Sequence, residues 1–133
     1  AAPTALTLAA HMAQALAQLH QRGVLHGDVY AHNILWDPAS GAALLSDFGA
    51  ATLLPSGDAA LRHKLQALDV RAFGCLLEEL IARVLPDVRY AKVVAQVAEL
   101  AQACLHLHGR ERPTMVALAQ HLARILGADA ELA

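Results

Sequence analysis

The chain has 133 residues, with ten Lys and Arg against twelve Asp and Glu and eight His, a formal charge of −2 and a pI near 6.5. That charge excludes a nucleic-acid binder working through a basic surface, and a 56% hydrophobic, 17% charged composition excludes a disordered chain while the length suits one domain with a modest core. Aromatics supply only 4% of the residues, so good helix formers, Ala and Leu, must build that core, and a mainly α fold is expected.

Leu8, Met12, Leu16 and Leu19 recur at helical spacing, predicting a first helix over residues 5–22 that Thr4 or Thr7 can cap and Gly23 can end in a left-handed turn. A polar stretch follows Val24-Leu25. The apolar runs 34–36 and 42–45 flank Asp37-Pro38-Ala39-Ser40-Gly41 and predict a small β-hairpin, in which Trp36 serves packing. Pro55, Ser56 and Gly57 mark a loop before a central helix over 59–85, expected to break near 67–69 and to stop at Pro86. Val93, Val97, Leu100 and Cys104 form the stripe of a further helix, and Thr114 can cap a last one carrying Leu118, Leu122 and Ile125. Glu78 and Glu79 should lie on an exposed edge, and His32, His106 and His108 read as solvated rather than metal-binding. Cys75 and Cys104, without CxxC spacing, read as reduced core thiols of a cytoplasmic protein. The opening stretch has no basic leader and is interrupted by His11, Gln14, Gln18 and His20, so neither a signal peptide nor a membrane span is expected.

Three polar clusters interrupt this background: His26-Gly27-Asp28, Asn33, and Asp47-Phe48-Gly49. A hairpin over 34–45 would bring the residue before its first strand and the residue after its second to one end. Asn33 and Asp47 should then be neighbours, with Asp28 close by. Two carboxylates and an amide carbonyl make a hard oxygen site suited to Mg2+.

With these residues in place, the sequence resembles the C-terminal lobe of eukaryotic-like protein kinases. HGDVYAHNILWD is similar to the catalytic loop H-R-D-x-x-x-x-N, SDFGAA to the metal-binding D-F-G, DVRAFGCLLEEL to the opening of the lobe's central helix, and RERPTM to the Arg-Pro before its last helix. The matches keep their order from residue 8 to residue 126. The resemblance implies one unit over 1–133, a kinase C-terminal lobe of about five helices with a hairpin carrying the catalytic loop and Asp-Phe-Gly. It implies transfer of the ATP γ-phosphoryl group to a hydroxyl, most of all Ser or Thr of a protein substrate, with ATP and Mg2+ as cofactors and with neither nucleic acid nor membrane as partner. Asp28 would be catalytic, accepting or orienting the proton of the attacking hydroxyl, while Asn33 and Asp47 would hold Mg2+ against the nucleotide. Asp69 would hydrogen-bond the catalytic-loop backbone, although a carboxylate opening a buried helix can also simply cap it. His26, Phe48 and Gly49 would support the site by packing and by the turn.

Several positions depart from the family pattern. Gly27 stands where Arg is usual, which argues against switching by a phosphate on the following segment. Tyr30 replaces a common Lys, and no A-P-E motif lies between Gly49 and Asp69, which leaves Arg112 without its usual partner. His-Gly-Asp is also the form found in phosphotransferases resembling those of aminoglycosides and choline, so a small-molecule acceptor stays open, as does a catalytically silent interaction module. No two glycines are two apart, and the lysines, Lys64 and Lys92, both follow Asp47. The glycine-rich loop and phosphate-binding Lys of the family's ATP clamp therefore have no counterpart, and the parent protein is expected to continue upstream of residue 1, with the 133-residue piece alone inactive.

Overall fold

In a computed structural model the described residues are 2–29, 34–36, 39, 43–45, 49 and 51–132. Within them the chain is mainly α, with four α-helices rather than about five: α1 (Ala2–Gln21), α2 (Ala59–Ala82), α3 (Ala91–Cys104) and α4 (Met115–Leu132). Single 3-10 turns at Val88–Tyr90 and Gly109–Glu111 lead into α3 and towards α4. The difference lies in α2. It runs unbroken through 67–69, because nothing there is Gly or Pro and because the Asp69 carboxylate is occupied by tertiary partners instead of competing for its own backbone. Asp69 is thus mid-helix and does not cap it. The cap is Asp58, whose carboxylate accepts the Leu61 N–H at 3.0 Å.

Elsewhere local chemistry fixes the ends. Thr114 Oγ1 accepts the Ala117 N–H at 3.1 Å and starts α4. Gly23, at φ +80°, terminates α1 in the left-handed region that costs a side-chain-bearing residue about 1–2 kcal/mol.

Among the described residues, four short strands form two antiparallel pairs. β2 (Ile34–Trp36) pairs with β3 (Ala43–Leu45) in the register Ile34↔Leu45, Leu35↔Leu44, Trp36↔Ala43, which is the expected hairpin. β1 (Val24–Leu25) pairs with β4 (Thr52–Leu53), an arrangement no sequence pattern announced. β3 lies against α1, so the hairpin leans on the helical body as so short a ribbon must.

The core is one cluster in which α1 packs on α4 and α2, and α2 on α3. Met12, Leu16, Phe73, Leu77, Met115, Leu118, Leu122 and Cys104 are fully buried. The α1 and α3 stripes fall inward as their spacing requires, and Ala9 and Ala13 are buried with them. Glu78 and Glu79 are exposed. Cys104 is a core thiol, and burial pushes its pKa up to about 12, so it stays protonated. Cys75, by contrast, is exposed. The reading of both cysteines as core fails because α2 buries one face only and Cys75 falls on the other.

Gly74 lies where α2 and α3 come close together. A Cβ there would stand 2.6 Å from Cys104 Cβ and 3.2 Å from the Ala101 carbonyl oxygen, both fixed to the α3 backbone. Alanine would gain about 1 kcal/mol of helix propensity, but overpacking at a backbone contact costs about 1–3 kcal/mol. Gly74→Ala should therefore lower the thermal midpoint, and Gly74→Val should lower it further. A rise in midpoint would mean that the two helices separate freely.

Candidate functional site

The loop that leaves α1 is built from both its ends. Gly23 turns the chain, the Leu54 N–H donates to the Gly23 carbonyl at 2.7 Å, and β1 then carries the chain alongside β4. The next residue, His26, is completely buried, and Val29, 2% exposed, returns to the core three positions later. Gly27 and Asp28 are held between these anchors, Gly27 exposed and Asp28 half-buried.

What fixes this short span is Asp69. One carboxylate oxygen, Oδ2, accepts the His26 N–H at 2.9 Å, and the other, Oδ1, accepts the Gly27 N–H at 2.9 Å. Oδ2 also accepts from His20 Nε2 at 2.8 Å, with His20 and Asp69 only 4% and 1% exposed. Burial alone would raise the Asp69 pKa, but the hydrogen bonds from His20, Gly27 and His26 and the attraction to His20 outweigh it and hold the group below the ordinary carboxylate range. The buried charge is thereby satisfied on both oxygens, the condition under which such a group is tolerated.

Two further contacts stiffen the arrangement. His26 Nδ1 accepts the Asp28 N–H at 3.1 Å, so the buried ring orients the residue that follows the turn. Gly27 adopts φ +83°, a conformation that disfavours any side chain, which gives a backbone reason for glycine where the resembling family usually carries Arg. On the far side of His20, the Arg62 guanidinium donates to the His20 carbonyl at 2.8 Å, tying the end of α1 to the first turns of α2. Arg112, whose partner the sequence left open, donates to the carbonyls of Ala67 at 3.0 Å and His106 at 2.9 Å and so fastens the loop before α4 onto α2.

Of the expected site residues, His26, Asp28 and Asp69 thus lie in one neighbourhood. Gly49 is a turn residue with its surface exposed. Asn33, Asp47 and Phe48 fall outside the described residues, as does His32. Among the described residues no three His, Cys, Asp or Glu side chains gather as a metal-binding group, and no helix is long and apolar enough to cross a membrane. The roles of His20 and Arg62 escaped the sequence. His20 sits one position after the stripe residue Leu19, and the only signal available was that a polar side chain on a buried face needs a partner.

A backbone-clamping carboxylate from the central helix beneath a His-Gly-Asp loop leads directly to the comparisons with known proteins. The model of the protein kinase domain matches residues 2–72, more than half of the chain. The chain belongs to the protein kinase domain family. Among relatives of this kinase domain, the dual specificity testis-specific protein kinase 1 of Rattus norvegicus is 35% identical over 111 residues, covering 66% of the chain and 18% of that protein. Protein kinase gsk3 of Schizosaccharomyces pombe is 28% identical over 85 residues, covering 51% of the chain and 22% of the relative. Glycogen synthase kinase 1 of Pyricularia oryzae is 44% identical over 41 residues, 31% of the chain and 10% of the relative. The chain therefore spans about a fifth or less of the length of these kinases.

Proposed function

We propose that this chain is the C-terminal lobe of a protein kinase domain, over residues 1–133, and that the full-length cytoplasmic protein transfers the γ-phosphoryl group of ATP to a Ser or Thr hydroxyl of a protein. The observation that carries the proposal is the double hydrogen bond from the His26 and Gly27 amides to Asp69, which presents Asp28 on a short, rigid span. Phosphoryl transfer needs little covalent participation from protein, so positioning of this kind is what a catalytic carboxylate requires. In this reading Asp28 orients the attacking hydroxyl and takes its proton, and His26, Phe48 and Gly49 keep the loop and turn in place. Asn33 and Asp47 hold Mg2+, for which an amide carbonyl and a carboxylate are suitable hard donors. The register Ile34↔Leu45 supports their pairing, because it brings the chain entering β2 and the chain leaving β3 to one end of the ladder, next to Asn33 and Asp47 in sequence. When bound, the ion would neutralise phosphate charge.

A second reading, transfer to a small-molecule hydroxyl, is favoured by one specific feature. After Gly49 come only β4 and a brief loop before the Asp58 cap of α2, so little chain is left to seat a peptide.

The test uses the full-length protein with labelled ATP and Mg2+, offered protein acceptors on one side and aminoglycosides or choline on the other. Label is expected on Ser or Thr. Label on a small molecule alone would replace the first reading with the second, and no transfer to any acceptor would favour a silent module. Asp47→Ala should remove the Mg2+-dependent rise in melting temperature caused by nucleotide, and an undiminished rise would take Asp47 out of the site. The 133-residue chain alone is expected to bind ATP weakly by calorimetry, since the family's ATP-clamping motifs do not occur in it.

A further inference from the structure

α2 enters the phosphoryl-transfer reading only through Asp69, on its buried side. The opposite side of the same helix is open. Leu68, Arg71, Cys75, Glu78 and Ala82 are all exposed and recur at alternating spacings of three and four, which lines their side chains along one face. Leu68, an apolar side chain, is 55% exposed there. Neither Arg71 nor Glu78 has an ion pair or hydrogen bond among the described residues. Glu79, beside Glu78, is held only loosely, 4.0 Å from Arg83 with both side chains more than half exposed. The charge on this face is ordered rather than in excess: the cation Arg71 lies towards the start of the helix, the anion Glu78 towards its end, and Cys75 between them.

We infer that this face docks a second copy of the chain, the two α2 helices running antiparallel across a two-fold axis at Cys75. That axis sets Cys75 against Cys75 of the second copy, Leu68 against its Ala82, and Arg71 against its Glu78 and Glu79. Each contact with a different residue then occurs twice, as an isologous interface requires. A parallel copy would instead face Arg71 with Arg71 and Glu78 with Glu78, and a uniformly acidic or basic partner would meet one like charge. The order of charge therefore selects the antiparallel copy, and opposed helix dipoles favour it as well. Exposed ion pairs stabilise little singly, so Leu68 and Ala82 supply the apolar contact while the pairs fix the orientation.

The experiment is sedimentation velocity on the chain across a concentration series, with a short bis-maleimide cross-linker as a second probe. Maleimides add to thiols without an oxidant, and Cys104, buried and held protonated, does not compete with Cys75. A monomer–dimer equilibrium is expected, with the dimer cross-linked through Cys75 and no cross-link in Cys75→Ser. Arg71→Glu alone and Glu78→Arg alone each bring like charges together and should weaken association about tenfold or more. The double variant Arg71→Glu with Glu78→Arg reverses the order of charge without spoiling it and should restore the dimer, which general damage to the helix could not do. Leu68→Ser should weaken association several-fold, and Arg124→Glu, an exposed cation on α4, should leave it unchanged. Circular dichroism of each variant separates loss of docking from loss of fold. The inference is overturned by a monomer at every concentration, by a dimer that Cys75 does not cross-link, by single reversals without effect, or by a double reversal that fails to restore association. Because the readout is association alone, it stands or falls independently of whether the parent protein transfers phosphate.

Discussion

Replacing Asp69 by alanine should cost about 3–5 kcal/mol of stability, the penalty for removing one member of a buried, hydrogen-bonded charge cluster. Three donors lose their acceptor at once: His20 Nε2 and the His26 and Gly27 amides. Each buried donor left unsatisfied costs about 1–3 kcal/mol, which applies to His20 Nε2 and the His26 amide, while the Gly27 amide, on an exposed residue, can turn to water at a smaller loss. Against a total of about 5–15 kcal/mol for a domain, this is a large fraction. Asp69→Asn keeps the shape and one oxygen but presents an NH2 to one of the donors, so it should fall between wild type and alanine and remain folded enough to measure. Urea unfolding gives the difference, read as a shift in midpoint at unchanged slope. A loss below about 1 kcal/mol for alanine would show that water or a rearranged loop satisfies the donors instead.

The same contacts fix the pH dependence and its sign. The folded-state pKa of Asp69 is lowered, so its unfolded form takes up protons first as pH falls. The stabilisation is complete above the unfolded carboxylate value of about 3.9 and drains away as pH drops through the lower folded value. The gap in stability between wild type and Asp69→Ala should therefore be flat with respect to carboxylate titration above about pH 5 and close under acid conditions.

How much of this was legible in advance follows from where the information sits. The hairpin was legible because Asp37-Pro38-Ala39-Ser40-Gly41 punctuates two apolar runs, and α3 because Val93, Val97, Leu100 and Cys104 keep helical spacing along a fully apolar face. The Thr114 cap and the Gly23 stop are local as well, each decided within four residues. What the sequence hid depends on distant partners. β4 is two residues long with Leu53 84% exposed, so it has no alternation to detect, and it exists because β1 offers it a ladder. His20 and Asp69 are 49 positions apart, and their contact leaves no periodic trace in either helix. The supposed break in α2 has the same origin, since a mid-helix Asp looks like a breaker until its tertiary partners are known. Arg112 was recognised as a residue awaiting a carboxylate, and its actual partners are two backbone carbonyls, which sequence cannot specify. Of the chemistry, the order of His26, Asp28 and Asp69 was readable through family resemblance, while the roles of Asn33, Asp47 and Phe48 rest on residues outside those described.

The largest effect on activity is expected from Asp28→Asn in the full-length protein. In the proposed reaction the carboxylate accepts the proton of the attacking hydroxyl, and general-base catalysis contributes about 10²–10⁴-fold, so phosphate transfer should fall by that factor. Asparagine matches aspartate in size and keeps the backbone N–H that donates to His26 Nδ1. The variant should accordingly melt close to wild type and keep the nucleotide-dependent rise in melting temperature, because its loss lies in chemistry and not in binding. Asp69→Asn offers the contrast. It leaves the Asp28 carboxylate in place but loosens the span that presents it, so activity and stability should fall together, and the Gly27 amide should exchange faster with solvent. If Asp28→Asn retained transfer within a factor of about ten of wild type, proton acceptance would belong to another group. The Asp69 clamp would then be a device for folding the loop rather than for aiming a carboxylate.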